Sequence, residues 1–175
     1  MKYPHEVIEQ RANESPDRIF LRFEERAVTF DEFNRWINRV ANGLIGLDCG
    51  AKTGISIMMP NSPEWLYVYF ATQKIGAYAV PINVGLKADG LAYIIDHSDS
   101  SVVFIGYQYA EQFEKVRDRL KQLKHVVVDT TEAPSDFKLP EGALSLEDLM
   151  QSDGANPGMQ ADPENMSVLM YTSGT

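Results

Sequence analysis

The sequence predicts an α/β protein with a doubly wound, mainly parallel sheet that carries helices on both faces. Two observations lead to this prediction. Short apolar runs alternate along the chain with longer segments of helical periodicity. The apolar runs also show little polar alternation, which is typical of strands buried on both faces. The chain of 175 residues has the length of one domain or of a large subdomain.

The first elements have clear boundary signals. Residues 5–14 predict a helix, which the following Ser-Pro pair ends, and residues 19–23 predict a strand. Thr29 and Glu32 form a capping-box pattern, in which the hydroxyl and the carboxylate each accept a backbone N–H of the other residue. The long helix behind this pattern has an apolar face at helical spacing, formed by Phe30, Phe33, Ile37, Val40 and Leu44.

A second strand-to-helix unit follows at residues 55–76. Residues 55–59 form a short apolar strand, after which Ser62 is a good N-cap and Pro63 suits the first helical position. The helix is apolar on most sides, which predicts burial, and Gly76 marks its far end.

The rest of the chain continues the alternation. A strand at 79–82 contains Pro81, which favours an edge position or a strand end. The sequence further predicts helices at 87–97 and 110–123, strands at 102–105, 126–128 and 167–171, and a helical turn at 145–150.

Composition and charge exclude several classes of function. The net charge of −9 argues against nucleic acid as a partner. The longest apolar run, residues 65–71, is too short to span a membrane, and no signal peptide opens the chain, so we expect a cytoplasmic protein. Residues 131–166 hold eight acidic residues and one lysine. This acidic segment is a solvated surface excursion or, alternatively, a docking surface for a protein.

Several apparent sites are better explained as ordinary structure. Residues 46–53 resemble a phosphate loop, but the spacing is wrong and a helix precedes them where a strand should. Cys49 is expected to be a small apolar filler in a turn. His5, His97 and His125 are scattered without metal-ligand spacing, and we expect each to be solvated or at a helix end.

The final residues carry the strongest functional signal. Thr172, Ser173, Gly174 and Thr175 follow an apolar run, and their hydroxyls can donate hydrogen bonds to phosphate oxygens. Glycine allows a close backbone approach to such an anion. Taken alone, four small polar residues after a strand are usually just a turn.

Read with its neighbours, this ending resembles the adenylate-forming superfamily of acyl-CoA synthetases, luciferases and peptide-synthetase adenylation domains. Residues 171–175, Tyr-Thr-Ser-Gly-Thr, are similar to the first half of its phosphate-binding loop. Residues 28–33 resemble the helix start of the family, residues 59–64 are typical of it, and residues 74–83 resemble its Gly-Ala…Pro-Ile-Asn segment. Asn83 followed by Val84 looks more like an acyl-CoA synthetase than a peptide-synthetase domain.

The resemblance implies a reaction and a division of the parent enzyme. A carboxylate attacks the α-phosphate of ATP, bound with Mg²⁺, to give an acyl-adenylate and pyrophosphate, and the thiol of coenzyme A then displaces AMP. It implies that Thr172, Ser173, Gly174 and Thr175 hold ATP phosphates. Residues 1–175 would form the N-terminal part of the large AMP-binding domain, cut inside the phosphate loop and without the C-terminal domain. No catalytic residue falls in this piece, which we expect to be inactive alone.

Two alternatives stay open at this point. The chain could be a noncatalytic α/β module that binds a protein through the acidic segment, or it could belong to another adenylate former. We also expect a chain cut at an internal strand to expose apolar surface and to self-associate.

Overall fold

The molecule consists of a helix and hairpin at its beginning, followed by a parallel sheet wrapped by helices. The structure, a computed structural model, describes residues 3–159, 162 and 164–172. In chain order the elements are α1 (Pro4–Glu14), β1 (Ile19–Phe23), β2 (Arg26–Thr29), α2 (Phe30–Gly46), β3 (Gly54–Met58), α3 (Pro63–Lys74), β4 (Tyr78–Pro81), α4 (Ala88–His97), β5 (Ser100–Gly106), a 3-10 turn (Tyr107–Tyr109), α5 (Ala110–Arg117), β6 (His125–Asp129), β7 (Leu144–Ser145) and α6 (Leu146–Leu149).

The main sheet has the strand order β4-β3-β5-β6-β7, and every neighbouring pair is parallel. Its side chains alternate between two buried clusters. Ile55, Ile57 and Phe104 face the cluster formed with α2, α3 and α6. Val80, Val103 and Ile105 face the cluster formed with α4 and α5. The predicted doubly wound sheet, covered on both faces, is therefore confirmed.

The capping signals define where the helices begin. At α2 the Glu32 N–H donates to the Thr29 hydroxyl over 3.2 Å, and the Thr29 N–H donates to the Glu32 carboxylate over 2.9 Å. At α3 the Trp65 N–H donates to the Ser62 hydroxyl over 3.1 Å. Gly76, with φ +74°, follows α3 in the left-handed region that glycine adopts without strain. Both predicted helix starts are confirmed.

Three serines connect two strands and a helix end inside the sheet. The Ser56 hydroxyl of β3 donates to the Ser100 hydroxyl of β5 over 2.8 Å, and the Ser98 and Ser100 hydroxyls are also 2.8 Å apart. The Ser98 hydroxyl is within 3.1 Å of the Ile95 carbonyl, to which it donates. All three side chains are buried, so this serine chain satisfies hydroxyls that could not reach solvent.

The observed elements differ from the predicted ones in four places. The predicted helix 110–123 ends at Arg117, because the chain tightens into turns with i→i+3 hydrogen bonds at Arg119 and Leu120. The predicted strand 167–171 is reduced to one bridge, between Val168 and Ala79. Two short strands, β2 and β7, were not predicted: β2 merges into the cap of α2, and β7 has two residues.

Candidate functional site

The predicted phosphate loop is only partly within the described residues. Thr172 is exposed, so its hydroxyl is accessible to an anion, as phosphate binding requires. Ser173, Gly174 and Thr175 lie outside the described residues. Phosphate binding by these four residues therefore stays a prediction.

The segment before the loop runs beside β4. The Ala79 N–H donates to the Ser167 carbonyl over 3.0 Å, and the Leu169 N–H donates to the Ala79 carbonyl over 2.9 Å. Beyond this pairing, the Tyr171 hydroxyl lies 2.8 Å from Nδ1 of His97 at the end of α4. The segment thus adds to the free edge of β4, and the Tyr171 side chain is fixed against α4.

A polar cluster lies where the β1–β2 hairpin meets the start of α3. The Arg26 guanidinium donates to both carboxylate oxygens of Glu64, at 2.6 and 3.2 Å. The Glu64 side chain is only 8% exposed, whereas that of Arg26 is 44% exposed. The hydrogen bond to Glu64 raises the pKa of Arg26. A buried carboxylate therefore depends on one partly exposed cation.

The pKa values of two further groups near this pair are raised. Burial raises the pKa of the Tyr67 hydroxyl to about 12, although Arg26 acts in the opposite direction. Burial also raises the pKa of Asp129 at the end of β6, whose carboxylate accepts hydrogen bonds from the Thr131 N–H and hydroxyl. Asp129 lies at the carboxyl end of β6, and Tyr67 lies on α3, the helix that follows β3. Open α/β sheets bind ligands at the carboxyl ends of their strands.

A cavity of about 560 Å³ adjoins the Arg26–Glu64 pair. We name it the Arg39 cavity; its walls come from β2, α2, α3, the residues after β6, and α6 with the residues behind it. They include Arg26, Trp36, Arg39, Tyr67, Thr131 and Ser152. Two asparagines of α2 hold the segment that follows Ser152, because the side-chain amides of Asn38 and Asn42 donate to the Gly154 and Ala155 carbonyls.

The apparent sites that the sequence analysis explained as ordinary structure are residues 46–53, Cys49 and the histidines. Residues 46–53 connect the end of α2 to β3. Cys49 is buried, and burial raises the pKa of its thiol to about 11, so it is not a reactive thiolate. His97 ends α4 and His5 lies in the first turn of α1, so both are at helix ends; His5 is buried, with 3% exposure.

The part of the chain that the structure describes contains neither a cluster of metal ligands nor a membrane-spanning helix. Within residues 3–159, 162 and 164–172, no group of three His, Cys, Asp or Glu side chains could hold a metal ion. None of the helices formed by these residues has the length and apolar character needed to cross a bilayer. In the acidic segment, Leu146 and Leu149 are buried although most of its charged residues are exposed.

Of the polar cluster and the Arg39 cavity, the sequence motifs include only Glu64, in the segment 59–64. Arg26, Arg39 and Tyr67 belong to no motif, and three different elements bring them together. One signal was present: Glu64 is a carboxylate in the first turn of a helix predicted to be buried, and a buried carboxylate requires a partner.

Comparison with known proteins decides the family. The model of the AMP-binding enzyme family matches residues 8–175, which is nearly the whole chain. This chain belongs to the AMP-binding enzyme family. The resemblance seen in the sequence motifs is therefore confirmed, and the fold just described is that of the N-terminal part of these enzymes.

The relatives are much longer than this chain. A long-chain-fatty-acid–CoA ligase, FadD13 of Mycobacterium tuberculosis, is 30% identical over 97% of the chain, which covers 32% of that protein. Tyrocidine synthase 1 of Brevibacillus parabrevis is 27% identical over 98% of the chain, which covers 14% of it. The crystal structure of the anthranilate CoA ligase AuaEII with anthranoyl-AMP superposes with a TM-score of 0.88 at 27% identity, covering 97% of this chain and 32% of that one.

Proposed function

We propose that this chain is the N-terminal part of an ATP-dependent acyl-CoA synthetase. Such an enzyme joins a carboxylate to AMP with release of pyrophosphate and then transfers the acyl group to the thiol of coenzyme A. The single observation that carries the proposal is the family match over residues 8–175. It is supported by the CoA ligase that contains anthranoyl-AMP, a mixed anhydride of the kind that the first step forms.

The residues present fit the first step by their chemistry. Negative charge on the phosphates requires donors, and three hydroxyls with a glycine backbone at residues 172–175 supply them. The exposed Thr172 is consistent with this role. We propose that Thr172, Ser173, Gly174 and Thr175 hold the phosphates, that ATP arrives as its Mg²⁺ complex, and that the parent enzyme is cytoplasmic and acts in fatty acid metabolism.

Within the family, one other function is favoured by a specific observation. The chain is similar not only to CoA ligases but also to tyrocidine synthase 1, at 27% identity, and to a linear gramicidin synthase, at 25% identity. A peptide-synthetase adenylation domain would activate its acid in the same way and pass it to a thiol on a carrier protein. Asn83 and Val84 favour the CoA ligase, because peptide-synthetase domains usually have Asp-Pro there.

The test measures both half-reactions on the polypeptide encoded by the full reading frame that contains this sequence. We expect ATP–pyrophosphate exchange that depends on a carboxylic acid, measured with a panel of aliphatic and aromatic acids. We also expect free coenzyme A to be acylated. Exchange without acylation of coenzyme A would favour the peptide-synthetase alternative, and no nucleotide binding by calorimetry with Mg²⁺ would refute adenylation.

A matched variant pair tests the phosphate loop in the same polypeptide. Removing one donor from the developing negative charge typically lowers turnover by about 10²-fold, so we expect such a loss for Thr172→Val. Thr172→Ser keeps the hydroxyl and should retain most activity. The 175-residue chain alone should show no exchange; robust turnover by this chain would contradict the proposed division of the enzyme.

We also propose that the 175-residue chain associates with itself. The free side of β4 makes only one bridge within the described residues, and Met166 and Met170 beside it are 47% and 70% exposed. The segment at residues 167–169 covers this side of β4, and among the described residues no further strand pairs with the outer side of the segment. An open strand edge next to apolar side chains invites pairing with a second copy. Light scattering should show a mass that rises with concentration, and Met170→Glu should reduce it. A monomer at every concentration would contradict this.

A further inference from the structure

The tyrosine before the predicted phosphate loop is the last residue that the sheet and its helices hold in place. Backbone pairing of the segment with β4 ends at Leu169, whose N–H donates to the Ala79 carbonyl over 2.9 Å. Within the described part of the chain, no backbone hydrogen bond holds residues 170–172 to the sheet, and Met170 is 70% exposed. The side chain of Tyr171 is therefore the contact that fixes where Thr172 begins.

The Tyr171 side chain is held by His97 at the end of α4. Its hydroxyl lies 2.8 Å from Nδ1 of His97, and the two rings meet edge to face with their centroids 5.8 Å apart. The Tyr171 ring also packs against the buried cluster formed with α4 and α5. Burial raises the pKa of Tyr171, so its hydroxyl stays protonated at neutral pH and can donate to Nδ1 of a neutral imidazole.

His97 itself projects from a fixed part of the fold. Tyr93, one turn earlier on α4, stacks on the imidazole with ring centroids 5.0 Å apart. The next residue, Ser98, is buried, and its hydroxyl belongs to the serine chain. Its carbonyl accepts a hydrogen bond from the Tyr78 hydroxyl of β4 over 2.7 Å. The end of α4 is thus tied to the sheet, and a side chain on a rigid element can hold a neighbouring loop in place.

A helix-end role alone does not explain the contact between His97 and Tyr171. A histidine in the last turn of a helix interacts favourably with the last carbonyls and with the helix dipole. Nδ1 of His97 instead meets a residue 74 positions later in the chain. The contact connects α4 to the segment that leads into the predicted loop, which no rule of helix capping requires.

We propose that His97 is a positioning residue for ATP binding. Through the Tyr171 hydroxyl it holds the start of the phosphate loop in the geometry that the triphosphate requires, and it touches no reacting atom itself. A loop that is ordered before binding loses less conformational freedom when the ligand arrives, so the contact raises the affinity for ATP. This role rests on the function proposed above for residues 172–175.

The test measures ATP–pyrophosphate exchange by the polypeptide that the full reading frame encodes, at varied concentrations of ATP and of the acid. His97→Phe keeps a ring beside Tyr93 but lacks Nδ1, and Tyr171→Phe removes the hydroxyl. Each should raise the KM for ATP about threefold to tenfold, the range that one hydrogen bond contributes. The KM for the acid and kcat should change by less than about twofold, because the contact is made alike in the ground state and the transition state.

Three further variants separate positioning from a general loss of structure. The double variant of His97→Phe and Tyr171→Phe should have no higher KM for ATP than either single variant, since both remove the same contact. His97→Asn places an amide near the position of Nδ1 and should recover most of the affinity. His125→Phe makes the same change at a half-buried histidine at the start of β6 and should leave the KM for ATP unchanged.

The outcomes distinguish this role from the proposed function. Wild-type exchange together with an unchanged KM for ATP in His97→Phe, an added loss in the double variant, or no recovery by His97→Asn would overturn the positioning role and leave the proposed function intact. A lowered thermal midpoint with equal effects on every kinetic constant would show a structural role only, and would also overturn it. No ATP-dependent exchange by the wild type would refute the proposed function and this role with it.

Discussion

At the scale of single residues, two ion pairs, each with one buried partner, join distant parts of the chain. Arg26 and Glu64 connect the hairpin to α3, and Lys74 and Glu9 connect α3 to α1. Lys74 is buried with 1% exposure, and burial lowers its pKa despite the ion pair. Such pairs are sensitive to the loss of one partner, because the remaining charge is left without compensation.

We predict a strong coupling between Arg26 and Glu64. In a double-mutant cycle with Arg26→Met and Glu64→Gln, the coupling free energy of unfolding should be about 1–3 kcal/mol. This coupling free energy should be smaller than that of a fully buried ion pair, because Arg26 is partly exposed and screened by solvent. Urea unfolding measures it. The exposed Lys115–Glu111 pair is the control and should give less than about 0.5 kcal/mol; equal values would contradict the prediction.

His5 should make the stability of the chain depend on pH. Burial and the nearby Lys74 lower its pKa below the ordinary value of 6.5, although Glu9 and Glu6 act in the opposite direction. As the pH falls, His5 therefore binds a proton at a higher pH in the unfolded chain than in the folded chain. Stability is complete above pH 6.5 and falls as the pH drops below it.

The measurement compares urea midpoints at about pH 7.5 and 5.5 for the wild type and His5→Phe. Phenylalanine keeps a ring at this position, which stacks near Tyr3, but cannot be protonated. The wild type should lose more stability than the variant on acidification. Equal losses would mean that His5 does not titrate as its burial requires.

At the scale of elements, α2 and α6 meet at a glycine. A Cβ at Gly43 would lie 2.4 Å from the Leu149 carbonyl oxygen and 2.6 Å from its Cγ, so no side chain fits between the helices. Gly43→Ala should destabilise the chain by about 1–3 kcal/mol, measured by thermal unfolding. Gly46→Ala, on the same helix with open space around it, should be neutral or stabilising by up to about 1 kcal/mol. Similar effects of both would contradict this packing argument.

Elements with local signals could be predicted from the sequence, and those set by distant partners could not. The hydroxyl and carboxylate of Thr29 and Glu32 define the start of α2 within four residues of sequence. By contrast, β7 exists because Leu144 and Ser145 pair with Val127 and Val128, which no local pattern indicates. The predicted strand 167–171 had the right position beside the sheet, but only Val168 has a bridging partner.

At the scale of the whole molecule, contiguous motifs could be predicted from the sequence, whereas features assembled from distant segments could not. The motif at residues 171–175 could be recognised in the sequence because its residues are contiguous, and its role in phosphate binding stays a prediction. The Arg39 cavity could not be predicted, since its walls come from segments more than 100 residues apart, such as Arg39 and Ser152. Only folding brings those segments together.

The serine chain affects how the sheet assembles. Side chains alternate with a period of two along a strand, so sliding β3 past β5 by one position would turn Ser56 towards the wrong face. Its hydroxyl would then be enclosed without a partner, at about 1–3 kcal/mol, and Ser100 would keep only its contact with Ser98. The aliphatic side chains alone would allow β3 and β5 to pair in a shifted register. The three hydroxyls disfavour such a register and so help to select the native one during folding.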